Sequence, residues 1–328
     1  MEMSEPQLVV PRPTPVRPSP APATPGGDLS PRRRVLVIVL SVLAGFALTV
    51  VWSAHFVDSV IGDTVADGLL GHDARDTPIT GVTAGILFAF VSGLAGTFTA
   101  CNIAVFGAMA PVLGEGRSVR QRLAATLRPL GWITAGMVAV SATYGAIAAL
   151  VGTRMPQFST APTSTGAGLP PRLIQSMVVF GLIGVVLIYL GLAAVGVLPD
   201  PLARVSARFP GAYPLVLGAL IGAFLIGRPF PLFRMMFRDA AESHNPLYGA
   251  IAFVLQSVGN MVVVAVLLLV LAYAMGGRLG RWLTARPGRV ATVTGAALLV
   301  AGSFTLLYWD VRLLARFDLI WFPSMPWN

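Results

Sequence analysis

Seven apolar runs, each long enough to cross a bilayer, constrain what this chain can fold into. A membrane-spanning helix needs about 20 predominantly apolar residues. The runs cover residues 35–52, 81–112, 130–151, 174–198, 212–233, 248–275 and 290–309. Hydrophobic residues make up 55% of the chain and charged residues 11%, whereas a soluble domain carries about 25% charged residues. The sequence therefore predicts an all-α polytopic membrane protein.

Segments of different composition flank these runs. Residues 1–31 are rich in proline and are predicted to be a disordered tail, because they cannot bury enough apolar surface to offset the entropy of ordering. Residues 32–79 read as an anchor helix, retained in the mature protein, followed by an outer loop. Residues 80–310 form the six-helix core, and residues 311–328 form a C-terminal tail.

Arginine, which supplies all 23 basic residues, is concentrated in alternate loops. Cytoplasmic loops of membrane proteins carry an excess of basic residues, so this distribution predicts a cytoplasmic N-terminus and an external C-terminus. The net charge of +9 then reflects topology, and no nucleic-acid partner is expected. The expected surroundings are the lipid bilayer of a bacterial plasma membrane.

The two halves of the core share a pattern. A polar interruption at residues 98–102 lies late in the first core span, and residues 224–231 interrupt the fourth span at a separation of 126 residues between Cys101 and Gly227. Three spans per half require the second half to be inverted in the membrane. The sequence thus predicts two inverted three-helix repeats, at about 80–198 and 212–309, with a functional centre near the midplane.

Several motifs resemble the membrane domain of the thiol-disulfide electron carriers of the DsbD and CcdA type, the cytochrome c biogenesis transmembrane family. They are FTACNIA at 98–104, the basic loop GRSVRQR at 116–122, Gly131 and Gly136, Gly249 and Gly259, and YAMGG at 273–277. The resemblance covers roughly residues 80–310. It implies six helices in two inverted halves and exchange of electrons between thiols on the two sides of the membrane.

Two departures from the family pattern shape the expected chemistry. Gly227 stands where the family has its second cysteine and Ala104 where it has a proline, whereas Pro231 keeps the later proline. Cys101 is the single cysteine of the chain, so it can form only a mixed disulfide with another protein. The resemblance implies a thioredoxin-like or other thiol partner and, at most, a redox relay rather than a self-sufficient enzyme.

The candidate site residues each have more than one interpretation. Cys101, beside Thr99 and Asn102, is a packing residue, a reactive thiol or a soft metal ligand. Arg228 either extends towards the membrane surface or contacts an anion or substrate in a central cavity. Gln256 and Asn260 are four residues apart and share a helix face, where they bridge helices or line that cavity.

Other chemistries are disfavoured. The chain has no lysine for a phosphate-binding loop and no His/Cys cluster with zinc spacing, so no cofactor or metal is expected. None of the six core runs contains an acidic residue, which argues against proton coupling. The alternative to the redox function is a small-solute or metal-ion transporter that uses Arg228, Asn102, Gln256 and Asn260. A third possibility is an accessory protein that stabilises a complex.

Overall fold

Helices form almost all of the regular structure in the computed structural model, and its described part contains no strand. The structure describes residues 29–53, 55–74, 79–95, 119–159, 168–228, 231–274, 278, 281–282, 285–286 and 288–327. Within these ranges, five helices are long and apolar enough to cross a membrane, or six when the bent pair α7–α8 is counted as one span. The chain is therefore an all-α polytopic membrane protein. The predicted disordered tail lies almost wholly outside the described residues.

The helices are numbered here in chain order. They are α1 (Pro31–Val51), α2 (Thr64–Leu70), α3 (Val82–Ala95), α4 (Val119–Val151), α5 (Pro171–Ala194), α6 (Ala203–Arg208), α7 (Ala212–Gly227), α8 (Pro231–Glu242), α9 (Pro246–Ala274), α10 (Arg289–Leu306) and α11 (Arg312–Arg316). π-Helical segments cover His55–Asp63 and Leu307–Val311, and short 3₁₀ turns cover Gly152–Arg154 and Pro156–Phe158.

The helix pairs fit the two inverted triplets that the sequence predicts. Helix α3 packs along α9, and the equivalent pair is α7 along α4. Both pairs are parallel. Gly85 and Gly93 of α3 lie next to Tyr248 and Gln256 of α9, in the same order along both helices. Gly218 and Gly222 of α7 likewise lie next to Ile133 and Met137 of α4. The central pairs, α4 with α9 and α5 with α10, are antiparallel. A pseudo-two-fold axis in the membrane plane, which relates the triplet α3, α4 and α5 to the triplet α7, α9 and α10, produces these parallel and antiparallel pairs.

Glycine contacts give the register between the two repeats. Gly136 of α4 touches Leu215 and Ala219 of α7, and Gly259 of α9 touches Phe90 and Leu94 of α3. The α7 positions follow the equivalent α3 positions by 125 residues, one less than the separation of Cys101 from Gly227. Small residues let membrane helices approach until their backbones touch. Equivalent close contacts at glycine residues therefore form at the corresponding helix crossings of the two repeats.

Helix α1 is fastened to the core at its C-terminal end. The last carbonyls of a helix have no partner within it. The Arg312 guanidinium donates hydrogen bonds of 2.8 Å to the Thr49 and Trp52 carbonyl oxygens, and Trp327 Nε1 donates to the Val51 oxygen at 3.1 Å. We call the side of the molecule that holds the C-terminal tail (residues 317–327), α8 and the start of α9 the tail face.

The fourth predicted span, 212–233, is interrupted, as its residues 224–231 predict: α7 ends at Gly227, and the chain turns by 86° into α8. The sequence carries prolines at 229 and 231, and a proline disfavours helical geometry in the residue before it, which agrees with the extended backbone of Arg228. The outer loop predicted after α1 also contains the π-helix His55–Asp63 and α2.

The last apolar helical stretch extends beyond the predicted end of the last span. The span was predicted to end at Trp309, whereas the stretch runs from Arg289 to Arg316 and contains Asp310. Of the predicted span 81–112, the structure describes the part that ends at Ala95.

Candidate functional site

A group of buried polar side chains lies at the middle of the membrane-spanning part of α9. Asn260 is the central residue of this 29-residue helix, and Gln256 lies one turn before it. Gln256 is 2% exposed and Asn260 8% exposed. Ser257 is also buried, and its Oγ lies 2.6 Å from Ser141 Oγ of α4. We call Ser141, Gln256, Ser257 and Asn260 the polar centre.

Helix α3 runs directly beside the polar centre. A Cβ atom added to Gly93 would lie 2.9 Å from the backbone carbon of Gln256 and 3.0 Å from the backbone nitrogen of Asn260. Only a glycine allows two helices to cross this closely. Helix α3 therefore lies against the Gln256–Asn260 turn at Gly93, two residues before its last residue, Ala95.

Gln256 has unused hydrogen-bonding capacity. Its Oε1 atom is buried and accepts no hydrogen bond from any donor in the described part of the chain. A polar atom buried without a partner costs free energy, and a polar side chain inside a membrane typically marks a substrate, ion or proton site. Within the polar centre, Gln256 Oε1 can therefore accept a hydrogen bond from a further donor.

Aromatic side chains cover the polar centre on the side of the tail face. Phe253 lies one turn before Gln256 on α9, and its ring stacks on Phe237 of α8 with 4.6 Å between centroids. Tyr144 of α4 packs edge-on against Phe253 at 5.6 Å and against Phe237 at 6.4 Å. All three are buried. Helix α8, which turns away from α7 at the break, therefore seals this side of the polar centre.

The break between α7 and α8 is held by side chains from α5. Gln175 Nε2 donates to the Ile226 carbonyl oxygen at 2.7 Å, and the Ser176 hydroxyl donates to the Gly227 carbonyl oxygen. Non-helical backbone at membrane depth is tolerated where protein groups satisfy it. Gln175 also donates to Tyr144 Oη at 3.0 Å, which connects the break to the aromatic cover.

The predicted site residues divide into three groups. Gln256 and Asn260 lie together in the polar centre. Arg228 and Pro231 belong to the break: the half-buried Arg228 places its guanidinium 4.5 Å from the centroid of the Phe233 ring, and Pro231 is the first residue of α8. Cys101, Asn102 and Thr99 lie outside the described residues.

Sequence reasoning missed three polar residues. Ser141 and Ser257 look like ordinary small residues of membrane helices, and only their contact singles them out. Asp310 was placed just beyond the last predicted span, 290–309, because a hydropathy run ends where charged residues begin. The signal that could have found it is Leu313-Leu314-Ala315, which resumes the apolar pattern after Arg312.

The described residues hold no group of three or more His, Cys, Asp or Glu side chains that could bind a metal ion. No protein-family model, no curated protein and no solved structure matches the chain.

Proposed function

We propose that this integral membrane protein is a thiol-dependent redox relay of the DsbD and CcdA type that depends on a partner thiol. The observation that carries the proposal is the polar centre, placed at mid-membrane beside α3, the helix that precedes Cys101. The two inverted triplets are the arrangement that the resemblance implies. The Arg distribution favours a bacterial plasma membrane with the N-terminus in the cytoplasm.

The proposed chemistry uses one thiol of this chain, a disulfide of an acceptor protein and a dithiol of a donor protein. The Cys101 thiolate attacks one sulfur of the acceptor disulfide, forms a mixed disulfide and releases the other acceptor sulfur as a thiolate. A donor thiolate then attacks the Cys101 sulfur of this mixed disulfide and releases the second acceptor thiolate, so the acceptor pair is reduced. The second donor thiolate attacks the donor sulfur of the new mixed disulfide, which forms the donor disulfide and releases Cys101 as the thiolate it was at the start.

A reactive thiol needs an environment of the kind that the polar centre offers. Thiolates are stabilised by hydrogen-bond donors and nearby positive charge, and apolar surroundings disfavour them. The side-chain amide of Gln256 is one such donor in the polar centre. Arg228 is a further candidate, from its position at the α7–α8 break.

The test is alkylation of the single cysteine in intact membranes with N-ethylmaleimide. We expect Cys101 to react before denaturation. In a Cys101→Ser background, Ala207→Cys on the exposed α6 serves as the reactive control, and Val262→Cys, on the lipid-exposed side of α9, serves as the unreactive control. Labelling of Cys101 that occurs only after denaturation, as for Val262→Cys, would overturn the proposal.

A second variant links the thiol to the polar centre. Gln256→Leu keeps the approximate volume of the side chain and removes its amide. We expect it to slow alkylation of Cys101, and Arg228→Gln to do the same if its charge reaches the thiol. Equal alkylation rates in the wild type and Gln256→Leu would show that the polar centre does not influence the reactivity of Cys101.

Transport of a small solute on the same inverted-repeat fold is the second candidate function. The observation that favours it is Asp310, an acidic side chain inside the last span. In reconstituted vesicles, transport predicts substrate uptake that survives Cys101→Ser. The redox relay predicts that the same variant abolishes function and leaves the fold intact.

A further inference from the structure

Asp310 is the acidic side chain that the fold places within the last membrane-spanning stretch. It lies in the π-helical segment Leu307–Val311, and its Oδ1 is 3.1 Å from the position that a Cβ atom on Gly181 would occupy. Two distances locate Asp310 along the helices. Arg316 follows it by six residues, about 9 Å along a helix, and the neighbouring Gly181 lies ten residues, about 15 Å, from the start of α5. The hydrocarbon core of a bilayer is about 30 Å thick, so Asp310 lies inside it.

The Asp310 carboxylate lacks a compensating group. Its Oδ2 atom is buried, and no donor in the described part of the chain hydrogen-bonds to it. Arg312 is close in sequence, but its guanidinium is directed to the carbonyl oxygens of Thr49 and Trp52 on α1. A carboxylate inside a membrane is costly unless a cation accompanies it. The π-helical backbone is a second sign of function, because such segments are rare and occur frequently at functional sites.

The carboxylate faces a groove between α5 and the end of α10. The groove has a volume of about 420 Å³, and apart from Asp310 its lining is apolar: Leu169, Ile174, Met177, Val178, Gly181 and Leu182. Its rim is open on the outer surface of the helices, where Val178 is 56% and Leu182 64% exposed. Pockets that bind small molecules typically measure about 300–1,000 Å³ and combine apolar walls with a few oriented polar groups.

We infer that this groove, the Asp310 groove, binds a small amphipathic cation: a protonated amine attached to an apolar body. The amine pairs with the Asp310 carboxylate and neutralises it, and the apolar body lies against Met177, Val178 and Leu182. Gly181 leaves the room for the amine, since a side chain there would lie against the carboxylate. The opening among lipid-facing residues admits a ligand that first partitions into the bilayer.

Equilibrium binding of radiolabelled dodecylamine to the full-length protein in lipid nanodiscs tests this inference. Binding to empty nanodiscs is subtracted to remove partition into lipid. We expect one saturable site per chain, displaced by unlabelled dodecylamine and not by the neutral dodecanol. Asp310→Asn, which keeps shape and removes charge, should weaken binding by about 10- to 100-fold, the effect of a hydrogen bond to a charged group. Asp318→Asn, an exposed acid of the tail, should bind as the wild type does.

A second variant tests the groove independently, in case Asp310→Asn fails to fold. Gly181→Ala keeps the acid but places a methyl group about 3 Å from its oxygens, so it should also weaken binding. The absence of a saturable site in the wild type, undiminished binding in Asp310→Asn, or equal displacement by dodecanol would each overturn the inference. Because the groove is separate from the polar centre, Cys101→Ser should bind dodecylamine normally, whether or not the redox proposal holds.

Discussion

Arg312→Met is expected to loosen α1 from the core. Arg312 is 3% exposed and donates two hydrogen bonds of 2.8 Å to carbonyl oxygens at the end of α1. Methionine can fill much of the same space but leaves both oxygens without this donor. Hydrogen bonds between membrane helices contribute about 0.6–1.7 kcal/mol each. Loss of two should therefore cost about 1–3 kcal/mol, which corresponds to about a 5- to 150-fold change in an equilibrium constant.

Two measurements show how much stability Arg312→Met loses and whether α1 is the part that opens. Unfolding in mixed micelles of rising dodecyl sulfate content, followed by circular dichroism, gives the free energy of unfolding. Hydrogen exchange measured on α1 peptides shows whether this helix opens before the rest. The matched control is Arg316→Met, which removes the same charge from an exposed position on the same short helix. If Arg312→Met lowers stability no more than Arg316→Met does, the two hydrogen bonds do not hold α1.

Two further predictions concern the helix contacts that position the site. Gly218→Ala should lower stability by about 1–3 kcal/mol because its new methyl group would meet the Ile133 backbone, whereas Gly131→Ala, with open space around it, should be neutral or stabilising in the same unfolding assay. Gln175→Leu should cost about 1–3 kcal/mol by leaving the Ile226 carbonyl oxygen unpaired, and the increased hydrogen exchange should be confined to the α7–α8 break. A uniform increase across the whole chain would contradict that assignment.

The sequence by itself determined the class of protein and most of its span positions. Apolar runs of about 20 residues have one stable arrangement in a bilayer, because helices satisfy their backbone groups internally. The inverted order of the triplets also follows from local information, since three spans per half reverse the second half. The helix directions and the glycine register agree with that expectation. The pairing of Gln256 with Asn260 on one face of α9 needed only the helical period.

Only the tertiary structure decided which polar groups are buried and what satisfies them. Arg312 lies in the membrane because it reaches carbonyl oxygens about 260 residues earlier in the chain, and this contact carries the last span past Asp310. The 86° turn after Gly227 depends on α5 side chains that cap the free carbonyls. Hydropathy is a property of neighbouring residues, whereas the free energy of burying a charge depends on partners distant in sequence. For that reason the Asp310 groove emerged from the fold alone, whereas the interruption at residues 224–231 was already visible in the sequence.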